Sequence, residues 1–424
     1  MQGGARMKDD RVILHCDANS FFASVECVFH PEYRDVPMAV CGSEEDRHGI
    51  VLAKNIPAAR YGIRTAETVF SARKKCPHLI TVPPRYHEYT EYSRALNEIY
   101  GRYTDLVEPF GIDESWLDVT GSHKLFGTGE EIAEQIRESV KRELGLTVSI
   151  GVSFNKVFAK LGSDYKKPDA VTVITRENME KIVYPLPVSD LLFVGRKTAE
   201  ALEKIGIRRI GDLAAASPLF LENKFGKHGA QIARYARGED DSPILPASER
   251  ADAKSIGSGM TFPRDLLGIE DVRTGLAPLA EDVAGQLRHT GKKCRTVCLT
   301  IKDVFLHSIT RQRPVEPPTD LARALLTASM EIYANEWQTD RPIRMLTVTA
   351  QSLVSASETH EQISIFEEEN TQREKQGELE RTIDSIRERF GQDALRYGST
   401  VSGDLSTSKT RKRKSKETSE KSGK

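Results

Sequence analysis

Gly111-Ile112-Asp113-Glu114-Ser115 places two adjacent carboxylates between the largely apolar run Leu106 to Phe110 and the alternating run Ser115-Trp116-Leu117-Asp118-Val119. That pattern predicts a strand, a tight turn and a returning strand. At or near the apex, strand alternation no longer forces neighbouring side chains onto opposite faces. Two carboxylates side by side repel each other, so a positive partner is expected, and a hard divalent cation such as Mg2+ suits oxygen ligands best. Read alone, the pair is equally well two solvated acids on a turn.

A second acid at a strand end shifts that balance. Val12-Ile13-Leu14 reads as a short buried strand running into His15-Cys16-Asp17-Ala18-Asn19-Ser20, with Asp17 at its carboxyl end. From Ser20 the chain reads as helix, with Phe21, Val25 and Val28 at helical spacing. A carboxylate before a helix N-terminus suits a metal-bound phosphate, because free backbone N–H groups and the helix dipole favour an anion. By itself Asp17 is as readily a helix-capping aspartate.

Composition bounds the rest. A chain of 424 residues is long enough for several domains. Hydrophobic content of 38% and charged content of 29% describe a soluble globular protein with much charged surface. The 61 basic and 62 acidic residues leave a formal charge of -1, so a nucleic-acid site must be a local patch. Cys16, Cys27, Cys41, Cys76, Cys294 and Cys298 form no CxxC pair and read as reduced, buried thiols of a cytosolic protein. Cys294 and Cys298 lack a further ligand pair for zinc. No run approaches the roughly 18 apolar residues of a membrane span. Met1 to Arg11 lack the apolar core of a secretion signal and read as a disordered lead, with Met7 as an alternative start.

Three blocks together carry a family resemblance: Asp17-Ala-Asn-Ser-Phe-Phe-Ala-Ser-Val-Glu26, Ile112-Asp113-Glu114-Ser-Trp-Leu-Asp-Val-Thr120, and Ser149-Ile-Gly-Val-Ser-Phe-Asn-Lys-Val-Phe-Ala-Lys160. They resemble the hallmark blocks of Y-family DNA polymerases, on the bacterial DNA polymerase IV branch, in the family's order and approximate spacing. The resemblance covers about residues 11 to 356. It implies an α+β, multidomain, right-hand polymerase with an α/β palm, small fingers, a helical helix-hairpin-helix thumb and a split βαβ little-finger domain.

The expected boundaries are a disordered lead at 1–10, palm at 11–20 and 84–174, fingers at 21–83, thumb at 175–242, a linker at 243–255 and the little finger at 256–356. Beyond lie a clamp-binding segment at 357–370, a C-terminal helix region at 371–400 and a disordered basic tail at 401–424. Within the palm, Arg85 to Tyr103 and Glu130 to Leu144 show helical periodicity, the latter ending at Gly145, and Thr147 to Val152 alternates as a strand. The aromatic stripe of the first helix reads as core packing. Residues 256–356 show a β-α-β-β-α-β order.

The resemblance implies template-directed nucleotidyl transfer from dNTPs to a primer 3′-hydroxyl at two Mg2+ ions. Asp17, Asp113 and Glu114 would hold them, Asp17 and Asp113 bridging both, with the Ala18 carbonyl completing one site. Asp118, further from the turn, reads as a structural acid. Phe22 matches the family's sugar gate, whose ring clashes with a 2′-hydroxyl, and Phe21 then belongs to the core. Lys167 matches a lysine on the triphosphate. The family's fingers carry a Tyr and an Arg for the β- and γ-phosphates, but Ile56 and Ala59 stand there, so Lys54 and Arg60 are expected to supply that charge from shifted positions. Ile50 and Leu52 fall at the roof over the base pair.

DNA contacts are expected from Gly195, Arg196 and Lys197 in the thumb, where glycine lets backbone N–H groups approach a phosphate. A second basic run, Arg288 to Arg313, should track phosphates along a sheet edge through Lys292, Lys293, Arg295, Arg311 and Arg313. Gln362-Ile-Ser-Ile-Phe366 resembles the peptide by which bacterial polymerases dock on the sliding clamp, with Gln362 as polar anchor and Ile365 and Phe366 as apolar ones. The expected partners are primer-template DNA, dNTPs and the clamp, with no membrane. The chain is expected to act as a cytoplasmic bacterial monomer, associated with the nucleoid when engaged. The rival readings are a catalytically inactive clamp- and DNA-binding accessory protein of the same family, and a two-metal nuclease or cyclase on a similar palm.

Overall fold

The computed structural model describes residues 11–43, 49–246, 249, 252–357, 367–391 and 394–395. The first elements are β1 (Ile13–Ala18), α1 (Phe21–Phe29), β2 (Met38–Cys41), β3 (Val51–Lys54), α2 (Ile56–Arg60), α3 (Val69–Lys75) and β4 (Ile80–Val82). Next come α4 (Tyr86–Tyr100), β5 (Val107–Pro109), β6 (Glu114–Asp118), α5 (His123–Phe126), α6 (Gly129–Leu144), β7 (Val148–Ser153), α7 (Lys156–Tyr165) and β8 (Val171–Val173). A helical stretch follows: α8 (Met179–Ile182), α9 (Arg196–Glu203), α10 (Ile210–Ala215), α11 (Pro218–Phe225) and α12 (Lys227–Ala236). The last elements are β9 (Ser255–Leu266), α13 (Gly268–His289), β10 (Lys292–Asp303), β11 (Ser308–Thr319), α14 (Ala322–Glu336), β12 (Ile343–Ser355) and α15 (Glu367–Phe390). Among the described residues no helix is long and apolar enough to cross a membrane. The chain divides into two units near residue 250.

In the first unit, the palm sheet has the order β5-β6-β1-β7-β8. Every residue of β1 is buried, because it is the central strand, paired antiparallel with β6 on one side and β7 on the other. The expected hairpin is present, with β5 and β6 joined through Phe110–Asp113. α6 starts on a capping box at Thr128 and Glu131 and ends at Gly145 in the left-handed region (φ +66°), so the sequence signals at both ends are the ones used. Tyr89, Leu96 and Ile99 of the aromatic stripe join the core over the sheet, Tyr92 and Tyr103 pack against it, and Tyr100 is buried there as well. The fingers add the small sheet β3-β2-β4. The helices α8 to α12 enclose their own apolar core around Leu202, Ile210, Leu213, Leu221 and Ile232.

One expectation needs correction. Residues 243–246, which open a stretch whose prolines and many polar residues predict a linker, lie on the first unit. Ile244 is buried with Ile13, Trp116 and Ala159, and the Leu245 N–H donates to Glu108. An apolar side chain eight residues past the end of α12 holds the chain down where its polar neighbours suggested freedom.

The second unit has the sheet order β11-β10-β12-β9, all neighbours antiparallel, with α13 and α14 packed on one face. This is the split βαβ arrangement read from the element order. Its strands run longer than the apolar runs alone indicated. α15, a helix of unassigned role in the sequence, docks on this unit. Arg288 of α13 pairs with Glu380 and Asp384, and Arg387 pairs with Glu281. Glu380 also accepts from the Ala322 N–H, which satisfies a free donor in the first turn of α14.

Candidate active site

Asp17 and Glu114 are Cα partners across the β1–β6 ladder, so two residues 97 positions apart project side by side. Asp113 sits in the turn just before β6, and its carbonyl accepts from the Ala18 N–H at 3.0 Å. The three carboxylates therefore converge at one end of the two central strands. Asp17 is not a helix cap. It lies inside β1, 5% exposed, and its Oδ2 accepts from Lys167 Nζ at 2.7 Å and Lys160 Nζ at 3.1 Å.

Lys160 reaches this point because α7 crosses β7 almost backbone on backbone. A Cβ on Gly151 would meet the Ala159 carbonyl at 1.9 Å, and one on Gly162 would meet the Gly151 Cα at 2.9 Å. Two glycines thus allow the approach that puts the lysine over the acids. Lys160 Nζ is 2.8 Å from Glu114 Oε2 as well as 3.1 Å from Asp17 Oδ2. Behind Glu114 stands His15, fully buried, its Nε2 3.2 Å from Glu114 Oε2 and its Nδ1 2.8 Å from Ser163 Oγ. Neither His15 Nε2 nor Glu114 Oε2 completes a well-aligned hydrogen bond.

The electrostatics separate the two turn acids. Burial, then the charges of Asp17 and Glu114, push the Asp113 carboxyl up to about 6. Burial raises Glu114 too, but His15 and then Lys160 oppose it and bring that carboxyl down to about 2. Burial disfavours a charged His15, so Lys160 is the lasting cation of the pair. Burial works against the charge on Lys160, and Asp17 and Glu114 overcome it.

This donor set fits a hard divalent cation. One ligand atom each from His15, Asp17 and Glu114 lie within 4.8 Å of one another, and Asp113 adds a carboxylate whose repulsion a cation would relieve. Asp118, by contrast, is fixed by Arg11 and by Thr120, as expected of a structural acid.

Phe21 is buried at 3% exposure, whereas Phe22 is half-buried beside the acids' strand end. The Phe22 ring stacks on Tyr89 at 4.1 Å, and Tyr86 meets it edge-on. Tyr89 in turn donates to the buried Glu26 at 2.6 Å, and Arg85 pairs with the same carboxylate. Lys54 and Arg60 make no ion pair among the described residues, and Ile56 is 51% exposed. Ile50 is exposed and Leu52 half-buried.

The thumb residues Gly195, Arg196 and Lys197 lie together at the start of α9, all exposed. The basic run of the second unit divides. Lys292, Lys293 and Arg295 open β10 at the sheet end. Arg311 and Arg313 pair in register with Leu299 and Val297, on the helix side of the sheet, and form ion pairs with Glu336 and Glu331 of α14. The open face instead carries Thr296, Thr300, Thr347 and Thr349. Gln362, Ile365 and Phe366 lie outside the described residues.

Lys160, His15 and Ser163 were missed in the sequence reading. The available signal was Lys156-x-x-x-Lys160 on a helix beginning after a hallmark strand, which fixes the phase of Lys160 but not its target.

Residues 16–164 match the impB/mucB/samB family, and residues 253–365 match that family's C-terminal domain. DNA polymerase IV of Acetivibrio thermocellus is 47% identical over 388 residues, covering 92% of this chain and 97% of that protein. DNA polymerase IV of Moorella thermoacetica is 37% identical over 398 residues, covering 94% and 98%. A solved Y-family DNA polymerase chimera shares the fold with a TM-score of 0.72 at 22% identity, covering 81% of this chain and 99% of its own.

Proposed function

The chain belongs to the Y-family of DNA polymerases, on the DNA polymerase IV branch, and from that premise we propose that it is a low-fidelity polymerase that extends primers past damaged template by a two-metal mechanism. It is a DNA-directed DNA polymerase whose substrates are primer-template DNA and dNTPs. The observation that carries the mechanistic reading is the convergence of Asp17, Asp113 and Glu114 at one strand end, beside a half-buried aromatic ring and two lysines.

Asp17, Asp113 and Glu114 would hold the metal ions, with the Ala18 carbonyl as a further ligand. Two Mg2+ ions held by these residues would supply Lewis-acid activation of the primer hydroxyl and neutralise charge on the phosphates. The chain's own residues do the rest. Lys167 neutralises the triphosphate, leaving Asp17 to do so. Lys54 and Arg60, free of ion pairs among the described residues, take the outer phosphates in place of the family's Tyr and Arg. His15 backs Glu114 and keeps its carboxylate aimed at the site. Phe22, held flat against Tyr89, excludes a 2′-hydroxyl. Gly195, Arg196, Lys197, Lys292, Lys293 and Arg295 carry DNA phosphate contacts. Arg311 and Arg313 would join them only by leaving their α14 partners.

Palm, fingers, thumb and little finger are proposed at the expected boundaries, a division that the separate sheets and the helical core of α8 to α12 support, and the burial of Ile244 favours joining 243–246 to the first unit. The segment Gln362–Phe366 docks on the sliding clamp, and the enzyme acts as a cytoplasmic monomer. The accessory-protein reading is less favoured, because a dead relative has no demand for three converging acids. The test is Mg2+-dependent primer extension by the purified chain on undamaged and abasic templates. Asp113→Ala should abolish extension while DNA binding survives. Undiminished extension by that variant would refute the catalytic assignment.

A further inference from the structure

Phe193, in the loop before α9, has φ +69°. For a bulky side chain this left-handed backbone is an outlier that costs stability. The loop around it is fixed from below. Leu191 and Val194 on either side are 2% and 5% exposed, and the Val194 N–H donates to the Leu191 carbonyl at 3.0 Å. Phe193 itself sends its ring outward, 53% exposed, with Tyr235 of α12 at 6.0 Å as its aromatic neighbour. A glycine there would hold the same turn without strain.

The neighbours give the ring a context. A Cβ added at Gly195 would meet nothing within 4 Å, and its backbone (φ −72°, ψ 168°) is one that any residue adopts. Neither packing nor conformation inside the protein therefore asks for glycine, whereas close approach of an outside group does. Arg196 is 87% exposed along its side chain, with a 3.7 Å ion pair to Glu200, and Lys197 makes no ion pair among the described residues. An outward apolar ring flanked by exposed cations and an uncovered backbone matches a polyanion with apolar sugar faces. It does not match a neutral protein surface.

We infer that Phe193 is a DNA-contact residue, its ring packing on a deoxyribose of the strand whose phosphates lie against Gly195, Arg196 and Lys197. The inference rests on the polymerase reading above. Because every nucleotide offers the same sugar face, the contact is independent of sequence. Because the ring is uncharged, it adds affinity without adding to the salt dependence.

The test uses the full chain, a fluorescent primer-template, a salt series and a melting curve. Phe193→Gly should weaken DNA binding at least threefold, leave the slope of log K against log salt unchanged, and keep or raise Tm through lost strain. Phe193→Tyr should bind as wild type. Arg196→Ala with Lys197→Ala should lower the slope by about two contacts' worth, at ~0.9 per phosphate. Wild-type affinity in Phe193→Gly, or affinity lost together with Tm, overturns the assignment of Phe193. A wild-type chain that binds no primer-template at all overturns the polymerase reading, and this inference with it.

Discussion

Asp17 Oδ2 and Glu114 Oε2 share one counterion, the Lys160 ammonium, at 3.1 Å and 2.8 Å. Asp17 also holds Lys167 at 2.7 Å, but among the described residues Glu114 has no second permanent cation beside it. Lys160→Met should therefore lower stability in chelator by ~2–3 kcal/mol, since it leaves the half-buried Glu114 without its cation while Asp17 keeps Lys167. Added Mg2+ should restore part of that loss by binding the folded state. Urea unfolding with EDTA and with Mg2+ measures both. An equal loss in the two conditions would show that Lys160 matters for packing alone.

Asp113 carries the opposite signature to its neighbour. Its carboxyl stands at about 6 in the folded chain against an ordinary 3.8, driven by burial and by the charges of Asp17 and Glu114. A raised acid favours folding while it holds its proton. That contribution is present at low pH and is lost as pH rises through about 6. The span corresponds to ~3 kcal/mol, which partial exposure reduces to ~1–2 kcal/mol. In metal-free protein, the stability of Asp113→Asn relative to wild type should rise by that amount between pH 3 and pH 7.5, most of it between the ordinary 3.8 and about 6. Glu114, drawn down to about 2, stays ionised throughout this window and does not mask the effect. A difference between the two proteins that is flat with pH would contradict the environment described for Asp113.

Phe22→Ala should relax sugar choice. The ring rests on Tyr89, and Tyr89 is held by Glu26, so truncation opens space above an anchored wall without collapsing it. The kcat/KM ratio of a deoxynucleotide over its ribonucleotide should fall on the order of 10–100-fold, with base choice changed less. An unchanged ratio would return Phe22 to the core.

The hairpin, the strand into Asp17 and the capped helix α6 were legible because each is written in local periodicity and turn chemistry. The convergence of Asp17 with Glu114 was legible only through resemblance, since nothing local sets a ladder between residues 97 apart. His15, Lys160 and Ser163 depend on the close crossing at Gly151 and Gly162, which periodicity does not report. Arg288 looked like part of a phosphate-tracking run. It is held instead by Glu380 and Asp384, nearly a hundred residues further along. For Arg311 and Arg313 a signal was present: they share strand phase with Ile309 and Val315, which pack on the core. Their side of the sheet could have been read from that alternation.

The docking of α15 makes a stability prediction of its own. Glu380 is 2% exposed and joins Arg288 to the first turn of α14. Removing Glu380 leaves Arg288 with Asp384 as its remaining carboxylate and strips the buried Ala322 N–H of its acceptor, at ~2–3 kcal/mol. Glu380→Ala should destabilise the second unit by about that much, while Glu378→Ala, on the exposed side of the same helix, should be near neutral. Chemical denaturation of the full chain distinguishes them. Equal, small effects would mean that α15 is a passive appendage.

Recruitment is the last expectation, and it rests on sequence, since Gln362, Ile365 and Phe366 lie outside the described residues. A polymerase whose DNA contacts are a few local cations should hold its template weakly and salt-dependently, and dissociate after few additions. Tethering through the clamp makes re-engagement intramolecular. The gain then comes from effective concentration and leaves the active site unchanged. The two apolar anchors should carry most of the peptide's binding energy. Ile365→Ala with Phe366→Ala should therefore leave clamp-free extension intact and abolish stimulation by a loaded clamp. Full stimulation of the double variant would make the segment an ordinary connection between β12 and α15. Loss of clamp-free extension would instead mean that the two side chains pack on the folded units, and the docking role would fail on that ground.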